Sequence, residues 1–363
     1  MVVCQDYCGR SEIPVYESNG QVPTDVYIFF RHGARTDFQR TMCFIDGEQT
    51  EYTCGIDSGF FTAKGVGPEV SFTKKYMEGC QIGQLLDYAL VQMGRLGEYL
   101  NHAYEFAEKT DVYLRSTDTE RTLGSLDILV TKIGLTQGFV HTTDFSRDSL
   151  DLNTPSCPRA TYLNEIFAHS DSFQNYIQGE EYTQCAQLWK SEIGTEFNLR
   201  ESGDCLFASM CANAKLPRSL QPSETLYQCV TNVFNHVRRL RYGNIANDPW
   251  TQQGIEYCQL AIVPFLRELK TNSLVATHDD TLACMLSAWK LWDGVWPKYA
   301  SFITIEKHGE FFRIYRDGIK ISDFGSLVDN HDFLNPDNDA YTRACRVNTK
   351  QRLIDISPEV LAV

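Results

Sequence analysis

From Asp25 to Phe30 the chain reads Asp-Val-Tyr-Ile-Phe-Phe, a nearly continuous apolar run. Such a run predicts a strand buried on both faces. It stops at Arg31. Two later runs have the same form: Asp111-Val112-Tyr113-Leu114, broken by Arg115, and Ser273-Leu274-Val275-Ala276-Thr277, followed by His278. Between the first two strands, Leu86, Leu90, Met93, Leu96, Gly97 and Leu100 recur at helical spacing and predict a helix over residues 85–108. Thr117 and Glu120 have the spacing of a capping box, so a second helix is expected to start there. Leu123, Leu126, Leu129, Val130 and Ile133 form its apolar face. A third helix is expected over residues 281–292. Residues 302–306 and 311–315 alternate on either side of His308-Gly309, a hairpin pattern, and Asp317-Gly318 makes a further turn.

The rest of the chain is less periodic. Residues 1–22 are polar and read as an irregular arm. Residues 36–79, rich in Gly, Thr, Phe and Lys, form a long excursion of the kind that tends to be functional. Over residues 145–255 the strand signals fade and helical character rises. The expected fold is therefore α/β: a three-layer α/β/α core with a mainly parallel sheet, built from residues 1–144 and 256–363. A mostly helical cap, residues 145–255, is inserted in it. The 363 residues suffice for a core of this size.

Composition narrows the partners. A formal charge of −14 and the lack of a Lys/Arg block argue against nucleic acid. No apolar run approaches the roughly 20 residues of a membrane span. An anionic substrate would need positive charge gathered locally against this global field. The 13 cysteines include no CxxC pair, which argues against a zinc ribbon or a thioredoxin-like motif. Cys4 and Cys8, Cys43 and Cys54, and Cys205 and Cys211 have spacings compatible with short disulfide loops; buried free thiols are the equal alternative. The start of the chain does not read as a signal peptide, and no Asn-x-Ser/Thr sequon occurs. Both point to the cytoplasm, whereas the cysteines point to an oxidising compartment.

The chemistry is concentrated where three strands end: Arg31-His32-Gly33-Ala34-Arg35, Arg115-Ser116-Thr117-Asp118 and His278-Asp279. Ligands of open α/β sheets bind outside the carboxyl ends of the strands. If the three strands are parallel neighbours, three arginines, two histidines and an aspartate converge. The arginines would repel one another without an anion between them, and a phosphoryl group fits that need. A histidine at the centre can act as a covalent nucleophile, and a protonated aspartate can supply a leaving group with its proton. Gly33 would let the backbone approach the anion closely. A non-hydrolysing phosphate- or phosphosugar-binding module needs the arginines but not an ordered nucleophile and acid.

Arg31-His32-Gly33-x-Arg35, then Arg115-Ser116-Thr117-Asp118-x-x-Arg121-Thr122-Leu123, then His278-Asp279, resembles the histidine acid phosphatase family. The resemblance implies hydrolysis of a small-molecule or glycan phosphate monoester through a phosphohistidine on His32. Arg31, Arg35, Arg115 and His278 would hold the phosphate and Asp279 would protonate the leaving group. No metal and no cofactor are implied. Arg121 is expected to be a structural ion-pair partner. The stretches Cys80–Leu85, Gln92, Gly97–Leu100 and Cys157-Pro158-Arg159 resemble the 2-phosphoxylose phosphatase branch, which implies a phosphosugar. The family and the cysteines suggest a secretory or lysosome-like compartment. The oligomeric state stays open, a dimer among the options. Two departures stand out: Asp37 replaces the usual proline and is expected to pair with Arg35 or to repel phosphate, and Ala89 replaces a usual glycine.

Overall fold

The computed structural model describes residues 7–9, 12–16, 22–38, 54, 62–65, 70–71, 80–135, 138–152, 157–212, 222–269, 271–325 and 339–346. Among the described residues nine strands form one sheet: β1 (Asp25–Arg31), β2 (Thr62–Gly65), β3 (Val70–Ser71), β4 (Tyr113–Ser116), β5 (Val140–Thr142), β6 (Ser273–Thr277), β7 (Phe302–His308), β8 (Phe311–Arg316) and β9 (Ile319–Phe324). Their order is β3-β2-β5-β4-β6-β1-β7-β8-β9. The five strands from β2 to β1 in this order are parallel. At one edge β3 pairs antiparallel with β2, and at the other β7, β8 and β9 continue the sheet through successive antiparallel pairings. The three predicted strands are adjacent and in register: Arg31 lies opposite Thr277, and Ser116 opposite Ala276.

Alternation along these strands divides the core into two layers. Val26, Ile28, Phe30, Leu114, Leu274 and Ala276 face α1 (Tyr88–Tyr104) and α2 (Glu120–Ile133). The intervening Phe29 and Val275 face the other layer. That layer includes helices α8 (Thr251–Leu266) and α9 (Asp279–Ala288), which pack together. The α/β/α core is thus as expected. Phe29 and Phe30 are completely buried on opposite faces.

Between β5 and α8 the chain is helical: α3 (Pro158–Ile166), α4 (Asp171–Gln178), α5 (Glu180–Ile193), α6 (Leu199–Cys211) and α7 (Glu224–Arg241). A last short helix, α10, spans Ala340–Ala344. The expected cap boundary at 255/256 falls inside α8. The chain has already returned to the core layer when α8 begins, because the buried Leu260, Ala261 and Val263 carry one continuous apolar face through that helix. No helix among the described residues is long and apolar enough to cross a membrane.

Several local expectations shift. The excursion at residues 36–79 lies mostly outside the described residues, but it contributes β2 and β3, which its weak periodicity did not reveal. The second helix begins at Glu120, with Thr119 rather than Thr117 at its N-cap, and no side chain caps it. Thr117 is diverted to Thr122 Oγ1 at 2.8 Å and His278 Nε2 at 3.0 Å. The cysteines are oxidised, but not in short loops. Cys8 bonds Cys211 and Cys54 bonds Cys80, which excludes all three of the short pairings. Cys157–Cys345, Cys185–Cys229 and Cys258–Cys284 complete the five disulfides among the described residues. Cys8–Cys211 ties the N-terminal arm to α6 across 203 positions of sequence.

Phe30→Ala is expected to destabilise the protein by about 3–5 kcal/mol, because the ring lies wholly inside the sheet–helix layer. Denaturant unfolding measures this directly; a loss under about 1 kcal/mol would mean that the strand is not packed as described.

Candidate active site

The parallel strands deliver their last residues to one place. The backbone locks them there. His32 N–H donates to the Thr277 carbonyl at 3.2 Å, Thr117 N–H to the Ala276 carbonyl at 3.3 Å, and Arg31 N–H to the Ser301 carbonyl at 2.8 Å. Over these ends lies a cavity of about 440 Å³, roofed by residues of α3, α6 and α7. Arg31, His32, Arg35, Arg121, His278 and Asp279 all line it.

His32 is buried and its Nδ1 lies 2.8 Å from the Gly33 carbonyl. A carbonyl can only accept, so Nδ1 carries the proton and Nε2 of the neutral ring keeps its lone pair. Burial first, then Arg121, Arg31 and Arg35, hold the imidazole pKa well below its ordinary value. The ring is therefore neutral and nucleophilic even in mild acid. His278 is buried 5.7 Å from it, centroid to centroid. Arg121 Nη2 donates to His278 Nδ1 at 3.5 Å, which leaves Nε2–H to donate to Thr117 Oγ1 at 3.0 Å. Burial and Arg121 lower the pKa of this ring too.

The arginines are held differently. Arg31, 1% exposed, meets Asp279 Oδ2 at 2.7 Å, donates to the Pro297 carbonyl at 2.7 Å and to Tyr7 Oη at 3.2 Å, and lies over the Tyr299 ring at 4.2 Å. Arg35 forks onto Asp204 of α6, at 2.8 and 3.3 Å. Arg121 has no carboxylate partner within 4 Å among the described residues. Burial and the neighbouring Arg35 push its pKa down to about 10. This is a cation that lacks an anion.

Arg115 requires correction. It does not line the cavity but grips Asp148 Oδ1 at 2.6 Å and Glu268 Oε2 at 3.3 Å. The pleat explains this. Arg115 pairs with Val275, whose side chain belongs to the α8–α9 layer, so Arg115 projects the same way. The third guanidinium at the strand ends is instead Arg121, in the first turn of α2. Its sequence signal was the position: first-turn residues of a helix that follows a parallel strand sit over the strand ends. Gly33 also has a different task. A Cβ there would come within 2.5 Å of the Ala89 Cβ, so the glycine lets the loop pack on α1, and Ala89 fits where it stands. Gln92 fastens the same loop, accepting from Ala34 N–H at 2.7 Å and donating to the Cys8 carbonyl at 2.7 Å.

Asp279 begins α9, accepts from Trp296 Nε1 at 3.1 Å, and faces Arg31. Burial favours its neutral form, but Arg31 and Arg238 overcome that and hold it down at about 2. Asp151 lines the same cavity, with Oδ1 3.7 Å from His278 Nε2. Burial, with Asp280 and Asp148 adding to it, pushes Asp151 up to about 7 against the pull of Arg121 and Arg200. Tyr7, Asp151 and Asp204 were not singled out by sequence, since each comes from a segment far from the motifs.

No family model matches the chain. A Schizosaccharomyces pombe protein named as a probable acid phosphatase is 24% identical over 261 residues, 62% of this chain and 55% of that protein. The mouse lysophosphatidic acid phosphatase type 6 is 25% identical over 344 residues, 79% of this chain and 78% of that protein. The chain thus spans little more than half the length of the first of these. Among solved structures, the Citrobacter braakii phytase has a TM-score of 0.53 at 12% identity, covering 82% of this chain and 85% of that one. The Hafnia alvei phytase bound to myo-inositol hexakis sulphate has a TM-score of 0.54 at 10% identity, covering 83% and 85%. The chain is thus similar in sequence to acid phosphatases and shares its fold with these phytases. At Asp37, the departure noted above, the backbone carbonyl accepts from Gly83 N–H at 2.9 Å, and Arg35 takes Asp204 as its carboxylate.

Arg115 and Arg121 should separate cleanly on mutation. Arg115→Ala strands the buried Asp148 charge and is expected to cost about 3–5 kcal/mol of stability by denaturant unfolding. Arg121→Ala should leave stability within about 1 kcal/mol and reduce phosphate-ester turnover about 10²–10³-fold. Reversed effects would mean that the strand register has been misread.

Asp151 yields a pH prediction. It is neutral below about 7 and negative above, and the new charge faces the site beside His278. Turnover of a phosphate ester should therefore fall above neutral pH, and Asp151→Asn should move that fall to higher pH. Superimposable pH profiles of the two proteins would rule this out.

Proposed function

We propose that the protein is an acid phosphatase that hydrolyses a phosphate monoester through a phosphohistidine on His32. The observation that carries this reading is the neutral, buried imidazole with a free Nε2, ringed by Arg31, Arg35, Arg121 and His278. A phosphoryl group entering the cavity relieves the repulsion among these cations and meets the nucleophile at once.

In the first half-reaction Nε2 of His32 attacks phosphorus and the P–O ester bond breaks. Its electron pair goes to the ester oxygen, which takes a proton from Asp279. Before the ester arrives the carboxylate is ionised, as Arg31 and Arg238 require. The arriving phosphate gives Arg31 a second anionic partner and adds negative charge; both effects raise the Asp279 pKa, so that the carboxylate takes a proton from the acidic solvent before the ester bond breaks. In the second half-reaction water attacks phosphorus, the N–P bond breaks, and Asp279 recovers the proton from the water. Inorganic phosphate leaves.

Arg115 contributes at one remove. Its pair with Asp148 fixes the turn Ser149–Asp151, whose Leu150 carbonyl accepts from Thr277 Oγ1 at 3.1 Å and from Thr281 Oγ1 at 2.5 Å. That turn supports the end of β6 and the start of α9. The cavity of about 440 Å³ has room for more than phosphate, which supports a sugar-sized substrate such as a phosphosugar. The five disulfides support a protein that works in an oxidising compartment.

Wild type should hydrolyse an aryl phosphate in mild acid, and His32→Ala should lose on the order of 10³-fold or more. Acid-labile, alkali-stable label from a radioactive phosphate ester should be trapped on the wild-type protein and not on His32→Ala. Turnover that persists in His32→Ala, or phosphate binding with no turnover in wild type, would overturn the proposal.

A further inference from the structure

The cavity contains more positive charge than one phosphate requires. Six arginines line it: Arg31, Arg35, Arg121, Arg200, Arg238 and Arg241. Three are paired with carboxylates in the same cavity, Arg31 with Asp279, Arg35 with Asp204, and Arg238 with Asp280 at 3.1 Å. The other three, Arg121, Arg200 and Arg241, have no carboxylate within 4 Å among the described residues. Arg121 lies at the strand ends against His278 and belongs to the phosphate site. Arg200 and Arg241 do not: they come from the roof, in the first turn of α6 and at the last position of α7.

Of the roof pair, Arg241 is held in place, whereas Arg200 is exposed at the cavity's edge. Arg241 is oriented by Asn164 of α3, whose Oδ1 accepts from Nη2 at 2.5 Å, and Asn164 itself lines the cavity. The Arg241 guanidinium lies 5.8 Å from the Phe167 ring centre, and its Nε is buried with no hydrogen-bond partner. Arg200 is close enough to Asp151, beside His278, to act on its charge. In a chain of net charge −14, two arginines that line the cavity without a carboxylate partner among the described residues indicate a second anionic ligand group. A single phosphate bound at His32 would fill only a fraction of a 440 Å³ cavity.

We propose that Arg200 and Arg241, with Arg241 oriented by Asn164, form a second anion subsite, and that the substrate is a phosphomonoester bearing another anionic group, a carboxylate, sulfate or second phosphate, on the same molecule. The inference rests on the phosphatase reading for the first subsite and names the substrate class for the second.

A matched set of esters tests it: glycerol 2-phosphate, with no second charge; 2-phosphoglycerate, which adds a carboxylate; and 2,3-bisphosphoglycerate, which adds a second phosphate as well. An aryl phosphate serves as reference. Wild type should show a kcat/KM roughly tenfold or more higher for one of the charged esters than for glycerol 2-phosphate, with a preference that shrinks as salt rises. Which ester leads identifies the anion. Arg200→Ala and Arg241→Ala should each erase most of this preference through KM while leaving aryl phosphate turnover within about threefold. Equal rates for all three esters in wild type, or a preference retained in the double variant, would overturn the subsite. Equal losses on aryl phosphate and on the charged esters would also overturn it, by assigning the arginines to the phosphate site or to the fold. If no ester turns over, the phosphatase reading fails separately. Calorimetric binding of 2,3-bisphosphoglycerate against inorganic phosphate, in wild type and the double variant, then decides the subsite alone: tighter bisphosphate binding that the double variant loses supports it, and equal binding ends it.

Discussion

The parallel hydrogen-bond ladder of β6 between β4 and β1 is the constraint on which the site depends. A parallel ladder allows no independent sliding once one face of each strand is buried, because a slip of one residue would turn Phe29 and Phe30, or Leu274 and Val275, into the wrong layer. With the register fixed, Arg31 ends opposite Thr277 and Ser116 one residue earlier, opposite Ala276. The residues just beyond, His32, Thr117 and His278, then share one small volume. The strands are apolar so that their ends can carry charge without moving.

That volume is electrostatically unbalanced, and the imbalance is its use. Arg31 and Arg35 are each neutralised by a carboxylate from elsewhere in the chain, Asp279 from α9 and Asp204 from α6. Burying such pairs brings little net stability, since desolvation consumes most of the attraction. Their effect is to fix two guanidiniums in place while leaving donors turned toward the cavity. Arg121 is buried without a carboxylate within 4 Å among the described residues and depresses both imidazoles. Structural economy would remove such a charge. The phosphatase function proposed above gives it a purpose: the ligand rather than the protein would supply the missing partner.

The helical roof joins the core through a shared apolar cluster and also through polar contacts at the cavity. Asp204 reaches down to Arg35, Arg238 reaches Asp280, and Cys8–Cys211 draws the N-terminal arm beneath α6 so that Tyr7 can touch Arg31. Roof and floor are thus coupled at the cavity itself. Movement of α6 or α7 would alter how Arg35 and Asp280 are paired, which links access for substrate to the electrostatics of the floor.

Much of this was determined by local sequence. Apolar runs of four to six residues, each cut off by a charged or imidazole residue, located three strands and the histidines at their ends, because burial on both faces leaves no polar alternation to confuse the reading. The same logic placed Arg31, His32, Arg35, His278 and Asp279 together. What it could not reach was direction and partnership. Arg115 and Arg121 lie six positions apart in one motif, and only the pleat of β4 and the start of α2 decide that the first turns into the α8–α9 layer and the second into the cavity. The disulfides, the Arg35–Asp204 fork and the roof arginines join residues from 26 to 203 positions apart. Spacing along the chain carries no information about such pairs; they form only when the sheet, its layers and the roof close on one another.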